Sequence, residues 1–284
     1  MLRPREVSAG VALFPARTPT LPPATHTNSY ALGEREIVLV EPATPYADEQ
    51  REWLAWARAL AGAGRTPVAL LLTHHHEDHV AGAEVLARAL GLPIWAHAET
   101  AARVGVAVAR ALADGDAFTL EGPVPRRWRV LHTPGHAPGH VCLLDDEGTL
   151  LVGDMVASVG TILIAPGEGD MAVYLAQLER LAGLGARTAL PAHGEPIDEP
   201  EALFRRYVAH RLMRERRVVA AVTQHGEAGA TAQELVSVAY GDVPVTTWPI
   251  ALLSLLAHLE KLVAEGRVRA AQAGDAATRY SAVA

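Results

Sequence analysis

The apolar run Val68 to Leu72 empties directly into Thr73, His74, His75, His76, Glu77, Asp78 and His79. This segment limits the fold more sharply than any other part of the chain. Imidazoles and carboxylates crowded into six positions are costly to pack as core, because each ring nitrogen needs a partner. A buried strand ending in such a cluster places it at a sheet edge, where loops converge on a rigid scaffold. In an extended segment residues two apart face the same side, so His74 and His76 can bind one cation together while His75 and Glu77 point away. Where the chain turns into a helix, Asp78 and His79 swing to the neighbouring position and could hold a second ion. The competing reading is a solvated loop, and the ligand-like spacing speaks against it.

The chain has 13 histidines and one cysteine. A lone Cys142 excludes an intramolecular disulfide and a thiolate zinc cluster, so any metal must be held by histidine and carboxylate. Three further loops offer such groups. His136 lies in Thr133 to His140, Asp154 follows the apolar strand Leu150 to Val152, and His193 sits between a short strand and Gly194. Singly, His193 or Asp154 reads as a turn residue; their force comes from occurring in this order. His74, His76 and His136 would give a first ion its nitrogen ligands, Asp78, His79 and His193 would hold a second, and Asp154 could bridge them.

The rest of the pattern is strand alternating with helix. Residues 24 to 41 read as two strands, Asp48 to Leu60 as a helix, Glu84 to Leu90 as a helix and Pro93 to Ala96 as a strand. Trp128 to Leu131, Val141 to Leu144 and Leu150 to Val152 read as strands, and Met171 to Leu184 as a helix. Half of the residues are hydrophobic, enough for a sizeable core. This predicts a layered α/β domain over residues 1 to 200. The style then changes. Glu201 to about Gln224 is helical, Thr231 to Glu234 fits a capping box, a third helix begins near Pro249, and Arg267 to Ala271 and Arg279 to Ala282 can pair. Three helices and a two-strand wing describe a winged-helix module over residues 201 to 284.

With these residues in view, the chain resembles the metallo-β-lactamase superfamily, whose HxHxDH motif and later His, Asp and His match His74, His76, Asp78, His79, His136, Asp154 and His193 one by one. The resemblance covers about residues 10 to 200 and implies an αββα sandwich with two divalent ions, usually zinc, at one edge of the sheets. The segments beyond Pro200 look like the branch that contains a mitochondrial β-lactamase-like endoribonuclease and related thioesterases with a C-terminal winged helix. Glu41 stands where the family usually has Asp at a strand end. There it would orient ligands rather than bind metal, and its extra methylene would shift those hydrogen bonds. His140 resembles a structural histidine, and His75, His97 and Cys142 receive no ligand role.

The function implied is metal-assisted hydrolysis: two divalent ions lower the pKa of a shared water to roughly 7 and polarise the group attacked. Asp78 would orient that hydroxide and pass its proton. Ester, thioester and phosphodiester bonds all fit. A single-stranded-RNA endoribonuclease and a hydroxyacylglutathione-hydrolase-like thioesterase are the specific forms, although the helical glutathione-binding domain of the latter has no counterpart here. A mononuclear iron persulfide dioxygenase and a non-enzymatic nucleic-acid-binding protein are the alternatives from other classes. The net charge of -7 hides a split, with 10 basic and 7 acidic residues from 203 onward and 15 and 25 before. Arg205, Arg206, His210, Arg211, Arg214, Arg216 and Arg217 crowd one helix and could contact phosphates or simply form a solvated face. The third helix looks built for protein contact, so a homo-oligomer through the C-terminal domain is expected. No secretion signal or membrane-length apolar run stands out, and the expectation is a cytoplasmic chain without a membrane partner.

Overall fold

The computed structural model describes residues 3 to 272 and 277 to 283; residues 1, 2, 273 to 276 and 284 of the two expected domains lie outside the described residues. The strands are β1 (Arg5–Ser8), β2 (Val11–Arg17), β3 (His26–Leu32), β4 (Glu36–Val40), β5 (Thr66–Leu71), β6 (Ile94–His97), β7 (Arg110–Leu112), β8 (Ala117–Leu120), β9 (Arg126–His132), β10 (Val141–Asp145), β11 (Thr149–Gly153), β12 (Thr188–Pro191), β13 (Ala230–Thr231), β14 (Val268–Ala271) and β15 (Arg279–Ala282). The helices are α1 (Ala47–Gly62), α2 (Glu77–Val80), α3 (Ala83–Leu90), α4 (Ala98–Ala101), α5 (Met171–Ala182), α6 (Pro200–Gln224), α7 (Ala232–Ala239) and α8 (Trp248–Ala264).

β1 to β7 form one sheet in sequence order, and β12-β11-β10-β9-β8 form a second. Their facing sides pack Leu13, Tyr30, Val38, Leu71, Trp128, Val130, Leu143 and Leu151 into one core. The outer side of the first sheet meets α1 and α3 through Trp53, Ala57 and Leu86, and that of the second meets α5 and the start of α6 through Tyr174, Leu178 and Phe204. Strands such as β4, β5, β10 and β11 are apolar at successive positions because both their faces are covered. The result is the αββα sandwich. The sequence reading did not resolve β1, β2, β7 or β8. In β2 Pro15 interrupts an apolar run that does not alternate, so neither period nor propensity marks it as a strand.

Topology sends the chemistry to one edge. β4 and β5 are parallel and end together at Val40 and Leu71, while β11 and β12 are parallel and end together at Gly153 and Pro191. β9 runs antiparallel to β10 with His132 opposite Val141, so the loop between them lies at the same edge. The sheets are stitched there: Val141 N–H donates to Thr73 O at 3.0 Å and Asn28 N–H to Ala192 O at 2.8 Å. The Tyr30 hydroxyl donates to Pro191 O at 2.8 Å.

The C-terminal module packs α6, α7 and α8 with a three-stranded sheet in the order β13-β15-β14 around Val222, Leu235, Leu255 and Leu259. The capping box at α7 is formed, Thr231 Oγ1 accepting from Glu234 N–H at 3.3 Å and Glu234 Oε2 from Thr231 N–H at 2.7 Å. Val245–Ala264 is, by length and mean hydropathy, apolar enough to cross a membrane, although His258, Glu260 and Lys261 interrupt its apolar run. Here Ala251, Ser254, Leu255, Ala257, His258, Leu259 and Leu262 of α8 are buried.

Candidate metal centre

After β5 the chain bends at Thr73 and His74, is extended at His76 and turns into the single-turn α2 at Glu77. That geometry aims His74 and His76 at one point and Asp78 and His79 at the next. His74 Nε2 lies 3.0 Å from His76 Nδ1, and His136 Nε2 lies 3.2 and 3.0 Å from those two atoms. Two nitrogens bound tetrahedrally at about 2.0–2.1 Å would stand roughly 3.3 Å apart, close to this triangle. His193 Nε2 lies 3.7 Å from Asp78 Oδ2, and His79 Nε2 3.7 Å from Asp78 Oδ1, forming a second group. Asp154 stands between the groups. Its Oδ2 is 3.4 Å from His136 Nε2, while Oδ1 is 3.4 Å from His193 Nε2 and 3.7 Å from His79 Nε2.

Four of the five imidazoles are hydrogen-bonded from outside and His79 is faced there by a carboxylate, which leaves one nitrogen of each for the inside. His136 Nδ1–H donates to Leu163 O at 2.9 Å, and His193 Nδ1–H to His26 O at 3.0 Å. His74 Nδ1 meets Thr73 Oγ1 at 3.0 Å, and His76 Nε2–H donates to Glu168 Oε2 at 3.0 Å. His79 Nδ1 lies 3.2 Å from Glu41 Oε2. Glycine permits two of these approaches. At Gly135, with φ +125°, a Cβ would stand 2.4 Å from Tyr174 Cα, and at Gly153, with φ +47°, 2.6 Å from His140 Nε2.

The electrostatics suit a cation. Burial pushes His136 down to about 4 and, with neighbouring imidazoles, holds His74 well below its ordinary range, so both offer neutral lone pairs. Burial would also lower His79, but Asp78, Glu41 and Asp154 outweigh it and raise His79 to about 10. Burial opposes ionisation of Asp154, yet His193, His79 and His136 hold its carboxyl well below the usual range. These carboxylates demand positive charge, which protons or a divalent ion can supply. Asp154 Oδ1 and His79 Nε2 are buried without hydrogen-bond partners, a donor set that fits a divalent cation better than a structural network.

Glu41 is 1% exposed with φ 58°, in the left-handed region. Its backbone is held by Glu41 N–H to Leu71 O at 3.1 Å and by the Ser29 hydroxyl on its carbonyl. Its Oε1 accepts from Thr73 N–H at 3.3 Å, whereas the contact of Oε2 with His79 is close but poorly aligned. His140 has no free lone pair: Nδ1–H meets Thr133 Oγ1 at 2.8 Å and Nε2 accepts from Asp154 N–H at 3.0 Å. His97 stacks on His132 with centroids 4.0 Å apart, and Cys142 is buried in core. Sequence reasoning missed Glu168, which holds His76 and lies 3.3 Å from His75 Nε2. A single Glu in a Gly-rich loop carries no spacing signal.

His76, Asp78, His136, Asp154 and His193 open into a cavity of about 550 Å³ that reaches the C-terminal module. Pro19 to Ala24, Val159 to Leu163 and Ala165 contribute its side walls, and His210, Arg211, Arg214, Val243, Ile250 and Ala251 its far end. The arginines of α6 do not share one face, which corrects the picture of a single basic cluster. Arg205, Arg206, Arg216 and Arg217 are exposed while Arg211 and Arg214 are buried, because a helix packed on two sides turns successive arginines in different directions. Arg205 pairs with Glu201, and Arg214 and Arg217 share Asp242.

Residues 22–193 match the family described as the Metallo-beta-lactamase superfamily, and residues 231–276 the Beta-lactamase associated winged helix domain. The Beta-lactamase-like protein 2 homolog of Drosophila melanogaster is 32% identical over 216 residues, 72% of this chain and 72% of that protein. An atrochrysone carboxyl ACP thioesterase of Pseudocercospora fijiensis is 28% identical over 265 residues, 90% of this chain and 75% of its own length. The crystal structure of a metallo-beta-lactamase family protein from Thermus thermophilus aligns with TM-score 0.78 and 27% identity, covering 98% of this chain and all of the other. The chain belongs to the metallo-β-lactamase superfamily, as a hydrolase carrying the associated winged helix.

Proposed function

We propose that the chain hydrolyses thioester bonds with two divalent ions, zinc, held by His74, His76 and His136 and by Asp78, His79 and His193, with Asp154 between them. The convergence of five inward imidazole nitrogens and two carboxylates carries this reading. The thioesterase name of a relative spanning most of the chain supports the bond cleaved. When bound, divalent ions supply Lewis acidity that lowers the pKa of a water and polarises a carbonyl. The residues do the rest. Asp78 lines the cavity and can accept a hydrogen bond from an attacking water and hold its proton. Glu41, Glu168 and the carbonyls of Leu163 and His26 keep the imidazoles aimed, so little reorganisation accompanies reaction. Apolar side chains such as Leu21, Val159, Ile162 and Leu163 flank the opening and suit an acyl chain.

The test is metal quantification coupled to an acyl-N-acetylcysteamine hydrolysis assay. Two zinc ions per chain are expected, with turnover that a chelator abolishes and that Asp78→Asn lowers by about 10²–10⁴-fold. A metal-replete protein without thioester turnover, or an Asp78→Asn variant of full activity, overturns the reading; iron in place of zinc overturns the metal.

A further inference from the structure

Arg211 is 3% exposed and lines the same cavity as the metal centre. Among the described residues no carboxylate lies within ion-pair distance of it. Its Nη2 donates to Ile162 O, its guanidinium carbon lies 5.6 Å from the Tyr174 ring centroid, and its Nε is buried without a partner. Arg214, also buried, has Asp242 at 2.6 Å, and the partly buried Arg126 has Asp145 at 2.9 Å. An unanswered buried guanidinium is costly, and its planar fork is the side chain best suited to pair with a carboxylate or phosphate away from water. Nearby, His258 is fully buried with both ring nitrogens unpartnered, and it brings no negative charge.

We propose that Arg211 is an anion subsite of the interdomain cavity, taking one carboxylate or phosphate of an acyl thioester whose reacting carbonyl lies among His76, Asp78, His136, Asp154 and His193. The reacting end rests on the hydrolytic reading above; the anion end rests on Arg211 alone. Ile162, Val243, Ile250 and Ala251 line the cavity too, together with the polar Tyr240, Thr247 and Ser254, so the arm that reaches the guanidinium is mixed and carries no carboxylate. Arg214 beside it is already paired with Asp242, so one uncompensated guanidinium is left, which suits one terminal anion, whereas RNA would present a row of phosphates.

Calorimetry with thioethers, which cannot be hydrolysed, separates binding from turnover. The probes are S-hexyl-N-acetylcysteamine, its 5-carboxypentyl counterpart and S-hexyl-4′-phosphopantetheine, titrated into the metal-loaded protein. At least one anionic probe is expected to bind about 10-fold or more tighter than the neutral one, and which of them does so tells whether the anion sits on the acyl or the thiol side. Arg211→Gln is expected to erase that preference and Arg211→Lys to keep part of it, with thermal unfolding reporting that each variant folds. Equal affinity of the wild type for all three probes overturns the proposal, and this comparison decides even where Arg211→Gln fails to fold. A preference that survives Arg211→Gln overturns it too, as does tighter binding of a single-stranded oligoribonucleotide that ignores the substitution. Anion preference without any thioester turnover upholds the subsite while sinking the hydrolytic reading.

Discussion

Glu215 on α6 is as buried as the residues at the sheet edge, yet Lys261 stands 2.7 Å from its Oε2 and Arg267 2.6 Å from its Oε1. Glu265 then joins both cations, at 2.6 and 2.9 Å. Every charge in that cluster is matched within it, and it links α6, α8 and the start of β14. At the sheet edge His79 Nε2 and Asp154 Oδ1 are equally buried but have no hydrogen-bond partner, and carboxylate and imidazole stand 3.4 to 3.7 Å apart. Buried charge by itself therefore does not mark a site. A closed ledger of partners marks structure, and donors that converge without meeting mark room for a ligand.

The largest effect that could break this contrast is at Glu215. Removing one partner from a buried ionic cluster costs about 3–5 kcal/mol, and Glu265 still holds both cations, so Glu215→Ala is expected to lose about 3 kcal/mol of stability. Urea unfolding measures this, with metal content measured in parallel. Loss of bound metal from a still-folded Glu215→Ala protein would mean that the two clusters are not separate in role.

The histidine string was legible because its spacing does what strand and helix geometry require: two apart in an extended segment, then one turn of helix. His136, Asp154 and His193 were legible as Gly- or Pro-flanked residues after apolar strands. Glu168 and the left-handed backbone of Glu41 were not, since each depends on contacts from distant segments and leaves no local period. The same limit applied to α6, whose arginines look alike in sequence. Only the packing of Ile162 and Tyr174 against Arg211, and of Asp242 against Arg214, sorts them into buried and exposed. The strands β7 and β8 were too short for alternation to show.

A smaller effect sits between the two regions, at His258. Burial first, then the charges of Arg211, Lys261, His210 and Arg214, push its pKa down to about 3, so the folded chain keeps it neutral. The unfolded chain takes up its proton near pH 6.5. Stability therefore falls as pH drops below 6.5 and stops falling from this cause near 3, a loss of about 2 kcal/mol at pH 5. Urea midpoints between pH 7 and 5 for the wild type and His258→Leu measure it. The variant is expected to show a shallower decline over that range. Parallel declines would place the acid sensitivity elsewhere, and would remove His258 from the unmatched groups of the junction.

The smallest effect tests an intermediate case, for Glu168 belongs to neither extreme. Its side chain is 51% exposed, yet it contacts both His76 and His75. Contact with those imidazoles lowers its own pKa, so it is a carboxylate at neutral pH. A carboxylate behind a ligating imidazole raises the basicity of the inward nitrogen, and losing one typically costs 10–100-fold in metal affinity. Water screens this one, which puts Glu168→Gln at about 10-fold or less. The amide oxygen can still accept from His76 Nε2–H, so the ring stays aimed and only the charge is lost. Chelator competition against the wild type reads the difference directly. A Glu168→Gln protein that holds metal as tightly as the wild type would show that orientation alone, and not charge, is what the loop from Gly160 to Asp170 brings to the centre.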